Sequence, residues 1–126
     1  MNNIKTFENF NNQDIFTYIG NDYIESVKNY IDSGYDLNIK NDSGYTPLIY
    51  ATFHNKIEIV KLLLNAGANV DKEDNNGNTA FIFSTHNNNY EIAKLLIDAG
   101  ACLNKQNFKG DTLLNTAAFY NCYKIV

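Results

Sequence analysis

A period of 33 residues organises this chain. Gly44 recurs as Gly77 and Gly110, and Thr46 recurs as Thr79 and Thr112. Glu58, Ile59, Lys61, Leu62 and Leu63 return as Glu91, Ile92, Lys94, Leu95 and Leu96, and Ala66-Gly67-Ala68 returns as Ala99-Gly100-Ala101. Backwards, Gly67 projects onto Gly34, Val60 onto Val27 and Glu58 onto Glu25. A sustained period of this length builds stacked supersecondary units, each contacting its neighbours, rather than one globular core.

Each position in the unit has a physical reason. Thr46 suits a helix N-cap, its hydroxyl accepting from a free backbone N–H. Pro47 falls at the first helical position, where a missing N–H costs nothing. Leu48, Ala51 and Thr52 then continue a short helix with small residues for close packing. Asn55 suits the left-handed region of a tight inter-helix turn. Ile57, Val60, Leu63 and Leu64 predict an apolar stripe on a second helix, ended by Gly67 at the C′ position. Val70 opens an extended arm that Gly77 turns back toward Thr79.

This combination of a turn glycine, Thr46-Pro47-Leu48, the run from Glu58 to Leu64 and Ala66-Gly67-Ala68 resembles the ankyrin repeat. The resemblance covers nearly the whole chain. It implies an all-α, ankyrin-repeat solenoid of stacked helix-turn-helix units with β-hairpin-like loops, and a function of binding other proteins.

On this reading the 126 residues are one domain. Residues 1–40 are a degenerate N-terminal cap repeat, 41–73 and 74–106 are repeats, and 107–126 are an incomplete C-terminal repeat. In the cap unit, Asp14 is a candidate N-cap. Ile15, Phe16 and Ile19 mark its first helix, and Ile24, Val27, Tyr30 and Ile31 its second. In the next repeats Pro47 becomes Ala80 and Leu48 becomes Phe81. The histidine usual after Thr-Pro-Leu in the family is replaced by Ile49, Ile82 and Asn115, so weaker hydrogen bonding between loops is expected. The last unit stops after Val126, before the leucines of a second helix. That unfinished edge is a candidate homodimer contact, and the chain is alternatively a structural spacer or fragment of a larger array.

Composition narrows the function. The net charge of −4 and pI near 5.0 oppose a nucleic-acid partner, which needs a basic surface. No apolar run approaches the ~20 residues that span a bilayer, so no membrane partner is expected. The N-terminus shows no apolar secretory segment, and the site of action is read as cytoplasmic, in the producing cell or inside a host. Cys102 and Cys122 are read as ordinary reduced thiols.

No catalytic constellation emerges, so the chain is read as not an enzyme. His54 and His86 are read as occupying the same place in successive repeats, as polar turn residues rather than ligands. Asp71, Glu73 and Asp74 precede Gly77, but an EF-hand register would put Lys72 first and Phe83 last, so the EF-hand pattern fails and a solvated hairpin arm is the reading. No phosphate loop or activated nucleophile is present, and no metal or cofactor is expected.

The resemblance places partner contacts at the hairpin tips and the exposed ends of the first helices, around a concave groove. These are Asp42, Ser43, Tyr45, Phe53 and His54 in the second unit; Asn75, Asn76, Asn78, His86 and Asn87 in the third; and Phe108, Lys109, Asp111, Phe119 and Tyr120 in the fourth. Tyr50 and Phe83 are further candidates on the same face. Packing between repeats is the competing role for Phe53, Phe83 and Phe119. It is the expected role for Phe83, whereas exposure is expected for Tyr45 and Phe108.

Overall fold

Residues 14–107 and Lys109 are described by a computed structural model. They form six helices: α1 (Asp14–Gly20), α2 (Ile24–Asp32), α3 (Pro47–Phe53), α4 (Ile57–Asn65), α5 (Ala80–His86) and α6 (Tyr90–Asp98). No strand occurs among the described residues. Helices pair within each repeat as α1 with α2, α3 with α4 and α5 with α6. The short first helices α1, α3 and α5 stack as one layer, and α2, α4 and α6 stack as a second.

Local chemistry sets the helix ends. Thr46 and Thr79 sit in extended backbone, and their hydroxyls accept from the N–H groups of Ile49 and Ile82 at 3.2 and 3.3 Å. Replacing Pro47 by Ala80 leaves this cap geometry unchanged. Asp14 lies in the first turn of α1 rather than at its N-cap. The inter-helix turns carry Asp22, Asn55 and Asn88 in register, with φ of 58°, 58° and 56°. The following N–H groups close the turns, Lys56 on the Ala51 carbonyl at 2.8 Å and Asn89 on that of Ser84 at 2.9 Å. Second helices end on left-handed glycines, and Ala68 N–H reaches back to Leu63 O at 3.0 Å across Gly67, a Schellman closure.

The core repeats with the chain. Ile15, Leu48 and Phe81 are fully buried counterparts on the first helices, and Val27, Val60 and Ala93 on the second. Tyr30, Leu63 and Leu96 form another buried row. Each buried leucine is worth about 1.5–3 kcal/mol, and these rows run from one repeat into the next, so the stack is stabilised mainly by its interfaces. The predicted α4 stripe shifts slightly: Ile59, Val60 and Leu63 are buried, whereas Ile57 and Leu64 are half-buried. Ile59 faces the core because its helix is packed on two sides, against α3 and against the neighbouring second helices.

The loops are tied by side-chain amides and carboxylates. Asn38 Oδ1 accepts from Asn69 N–H, and Asp71 Oδ1 accepts from Cys102 N–H, both at 2.9 Å. Between them Asn69 Oδ1 accepts from Asp71 N–H at 2.9 Å, and at the start Asp36 Oδ1 accepts from Asn38 N–H at 2.8 Å. The ladder therefore runs Asp36, Asn38, Asn69, Asp71, Cys102. The ties between loops come from Asn and Asp in the arms, while Ile49 and Ile82, at the position of the family's usual histidine, are buried.

Candidate protein-binding surface

Each hairpin tip is folded by one Asn or Asp in register. Asn41 Oδ1 accepts from the N–H groups of Ser43 and Tyr45, both at 3.0 Å. Asp74 Oδ1 accepts from Asn76 and Asn78 N–H at 2.8 and 2.9 Å, and Asn107 Oδ1 accepts from Lys109 N–H at 3.0 Å. Across the first two hairpins Asn41 N–H bonds Tyr45 O, and Asp74 N–H bonds Asn78 O. The tip side chains Asp42, Ser43, Asn75, Asn76 and Lys109 are exposed. Asn75 also donates to Asp42 O at 3.4 Å, which ties one tip to the next.

Asn78 is not free for a partner in the same way. It is half-buried, donates to Asp74 Oδ2 at 3.3 Å and accepts from Asn107 Nδ2 at 2.7 Å. Its neighbours in register, Tyr45 and Asp111, are different residue types, and Asp111 lies outside the described residues, as do Phe108, Phe119 and Tyr120.

Above the first helices the aromatic side chains converge. Tyr45, Phe53 and Phe83 form a triangle of rings, with centroids 5.7 Å apart for Tyr45–Phe53 and 5.6 Å for each ring to Phe83. The two contacts of Phe83 are edge-to-face, a favoured geometry. Phe53 remains 44% exposed, whereas Tyr45 and Phe83 are half-buried. Phe83 thus packs between repeats, as expected. Tyr45 is less exposed than expected because Phe83 of the following repeat covers it. His54 extends the group, its ring 4.4 Å from Tyr50 and 5.1 Å from Phe53. Phe16 of α1 meets Tyr50 edge-on at 5.4 Å, so one aromatic band crosses all three first helices. Phe16 was readable from sequence only as core, since its contact with Tyr50 depends on how two repeats stack.

The two histidines are not equivalent. His54 is the residue after α3 and corresponds to Asn87, the residue after α5; His86 is the last residue of α5 and corresponds to Phe53. A polar residue thus stands in the third repeat where the second carries its exposed ring. His54, His86 and Asn87 are all exposed. His54 leans on rings rather than on a carboxylate, and no grouping of His, Cys, Asp or Glu suited to a metal occurs among the described residues.

Two ion pairs cross repeat boundaries. Lys56 bridges to Asp22 at 2.9 Å across the first repeat boundary. Lys105 pairs with Glu73, whose hydrogen bond and charge raise the lysine above its ordinary range. On the second-helix layer a cleft lined by Lys28, Ile31, Asp32, Leu62, Asn65 and Ala66 recurs one repeat on with Lys61, Leu64 and Leu95 in its walls. These clefts follow the packing of adjacent repeats. No helix among the described residues is long and apolar enough to cross a membrane.

Comparison with known proteins agrees with this architecture. A family model described as ankyrin repeats (3 copies) matches residues 15–107. Among solved structures, the ankyrin repeat domain of Bcl-3, described as a unique member of the IκB protein family, is similar at a TM-score of 0.77 and 27% identity. The match covers 81% of this chain and 45% of that one, so this chain spans less than half of the Bcl-3 chain. A search of curated proteins finds no match. Ankyrin repeats generally mediate protein–protein interaction. With the threonine caps, the left-handed glycines, the two helix layers and the family match in agreement, this chain belongs to the ankyrin repeat family.

Proposed function

We propose that the chain is a non-catalytic protein-binding module whose partner docks on the hairpin tips and the first-helix layer, the side that forms the concave groove in this family. The observation that carries this reading is the Tyr45–Phe53–Phe83 triangle with Phe53 still 44% exposed. Two neighbours already hold the Phe53 ring, so a partner gains aromatic contact area with little further ordering cost. Asp42, Ser43, His54, Asn75, Asn76, His86, Asn87 and Lys109 supply a polar rim around it. Phe108, Asp111, Phe119 and Tyr120 extend the surface on register alone. The contacts of His54 support binding without catalysis, since its ring is engaged by Tyr50 and Phe53. A cytoplasmic site of action belongs to the same proposal, supported by the free, exposed thiol of Cys102.

The test is quantitative binding of an isolated partner to the wild type, Phe53→Ala, Tyr45→Ala and Phe108→Ala, with helical content followed by circular dichroism. Phe53→Ala should weaken binding tenfold or more, about 1.4 kcal/mol, with its helical signal unchanged. Unchanged affinity in Phe53→Ala overturns the placement of the surface. Light scattering over a concentration series separates this reading from homodimerisation through the C-terminal edge, whose residues lie outside those described.

A further inference from the structure

The hairpin tip folded by Asp74 carries Asn76-Gly77, and every other asparagine in the chain precedes a residue with a side chain. We propose that Asn76 is a site of spontaneous deamidation and isomerisation, by which the hairpin tip between repeats gains charge and loses its fold as the protein ages. The attacking atom is the Gly77 backbone nitrogen. Without a Cβ on residue 77, that nitrogen is the least hindered of any that follow an asparagine here. It attacks Asn76 Cγ, the C–N bond of the side-chain amide breaks, and ammonia leaves with the proton given up by Gly77. The cyclic succinimide is then opened by water at either carbonyl, giving aspartate or isoaspartate at position 76. Water is the only co-reactant.

The local structure leaves the electrophile open. Asn76 is exposed, and its side-chain amide makes no hydrogen bond among the described residues, while its backbone N–H donates to Asp74 Oδ1. Its neighbours are committed: Asn75 donates to Asp42 O, and Asn78 bonds Asp74 and Asn107. Two features oppose the reaction, the burial of Gly77 and the turn bond from its N–H to Asp74 O at 3.1 Å, and both are released when the tip opens locally.

The product has consequences at both levels. Either product places a new carboxylate beside the Asp74 carboxylate. Isoaspartate also lengthens the backbone by one carbon inside the turn closed by Asp74 and Asn78, and so strains the bonds that link this tip to Asp42 and Asn107. The chemistry stands without the proposed binding surface; its effect on a partner rests on that reading.

The experiment is incubation of the folded full chain in mildly alkaline buffer, followed by peptide mass spectrometry and isoaspartate detection. The expected result is a gain of one mass unit at position 76, with isoaspartate in excess, ahead of Asn75, Asn87 and Asn88. Asn76→Gln should abolish it with circular dichroism unchanged; Gly77→Ala should also suppress it, at a cost in folding. Conversion in the free peptide but not in the folded chain, or equal conversion across the asparagines, overturns the proposal. The readout needs no partner, so it can fail independently of the binding reading.

Discussion

Asn38 accepts from the backbone N–H of Asn69 at 2.9 Å, and one period later Asp71 accepts from Cys102 at the same distance. The bond recurs because the two arms are displaced by one repeat and present the same atoms. It also explains a use for the asparagines of this chain beyond polar filling: they carry hydrogen bonds from one repeat to the next, where the family's usual histidine is missing.

Removing these acceptors should loosen the stack without changing the helices. Asn38→Ala and Asp71→Ala are each expected to cost about 1 kcal/mol, and the pair to depart from additivity because Asn69 bonds to both residues in one ladder. Urea midpoints of the single and double variants check this, and no shift in either single variant would show that water replaces the ladder fully.

Gly44 and Gly67 separate two effects of a Cβ. Both have positive φ, 82° and 90°, so alanine is strained at either. A Cβ at Gly44 would in addition sit 2.7 Å from the backbone N of Asn75 in the next repeat, while one at Gly67 meets open space. Gly67→Ala should cost about 1 kcal/mol, and Gly44→Ala roughly 2–4 kcal/mol, since the neighbouring backbone must shift. Thermal melts of the two variants give the comparison; equal losses would remove the inter-repeat clash from the account.

Thr52 and Thr85 are counterparts with opposite hydroxyl environments. Thr85 Oγ1 donates to Ile82 O at 2.7 Å, whereas the buried Thr52 Oγ1 has no hydrogen-bond partner among the described residues. A buried, unmade hydrogen bond costs about 1–3 kcal/mol. Thr52→Val should therefore be neutral or stabilising by up to ~1 kcal/mol, and Thr85→Val destabilising or neutral. Denaturant titration decides it, and a clear loss in Thr52→Val would reveal an unrecognised partner.

Tyr30 predicts alkaline behaviour. Burial first, then the nearby Asp36 and Tyr35, push its phenol from 10.0 to about 12. The folded chain thus keeps a proton that the unfolded chain releases near pH 10.0, so this stabilisation is complete below that pH and is lost as pH rises through about 12. Tyr30→Phe should flatten the fall in denaturation midpoint over that window. At neutral pH it should cost about 1 kcal/mol for the lost bond to Asp36 O at 3.1 Å. An unchanged alkaline slope would assign the loss to another group.

Helix type and position, and most helix ends though not the cap read at Asp14, were legible in the residues, because they depend on near neighbours. Thr46 caps the third residue on, Pro47 needs only the first helical turn, and Asn55 and Gly67 answer to their own φ. The 33-residue spacing carried the stacking as well, since identical units bury identical faces against one another. What required the tertiary structure was every relation between side chains in different repeats. The spacing does not show that Phe83 covers Tyr45 or that Phe16 reaches Tyr50, although counting 33 on from His54 does give Asn87. Nor does it show which asparagines bridge arms and which, like Asn76, stay open to water. Those outcomes depend on the offset and tilt between adjacent units, set by packing along the whole interface, and an ångström of displacement there decides whether two side chains meet.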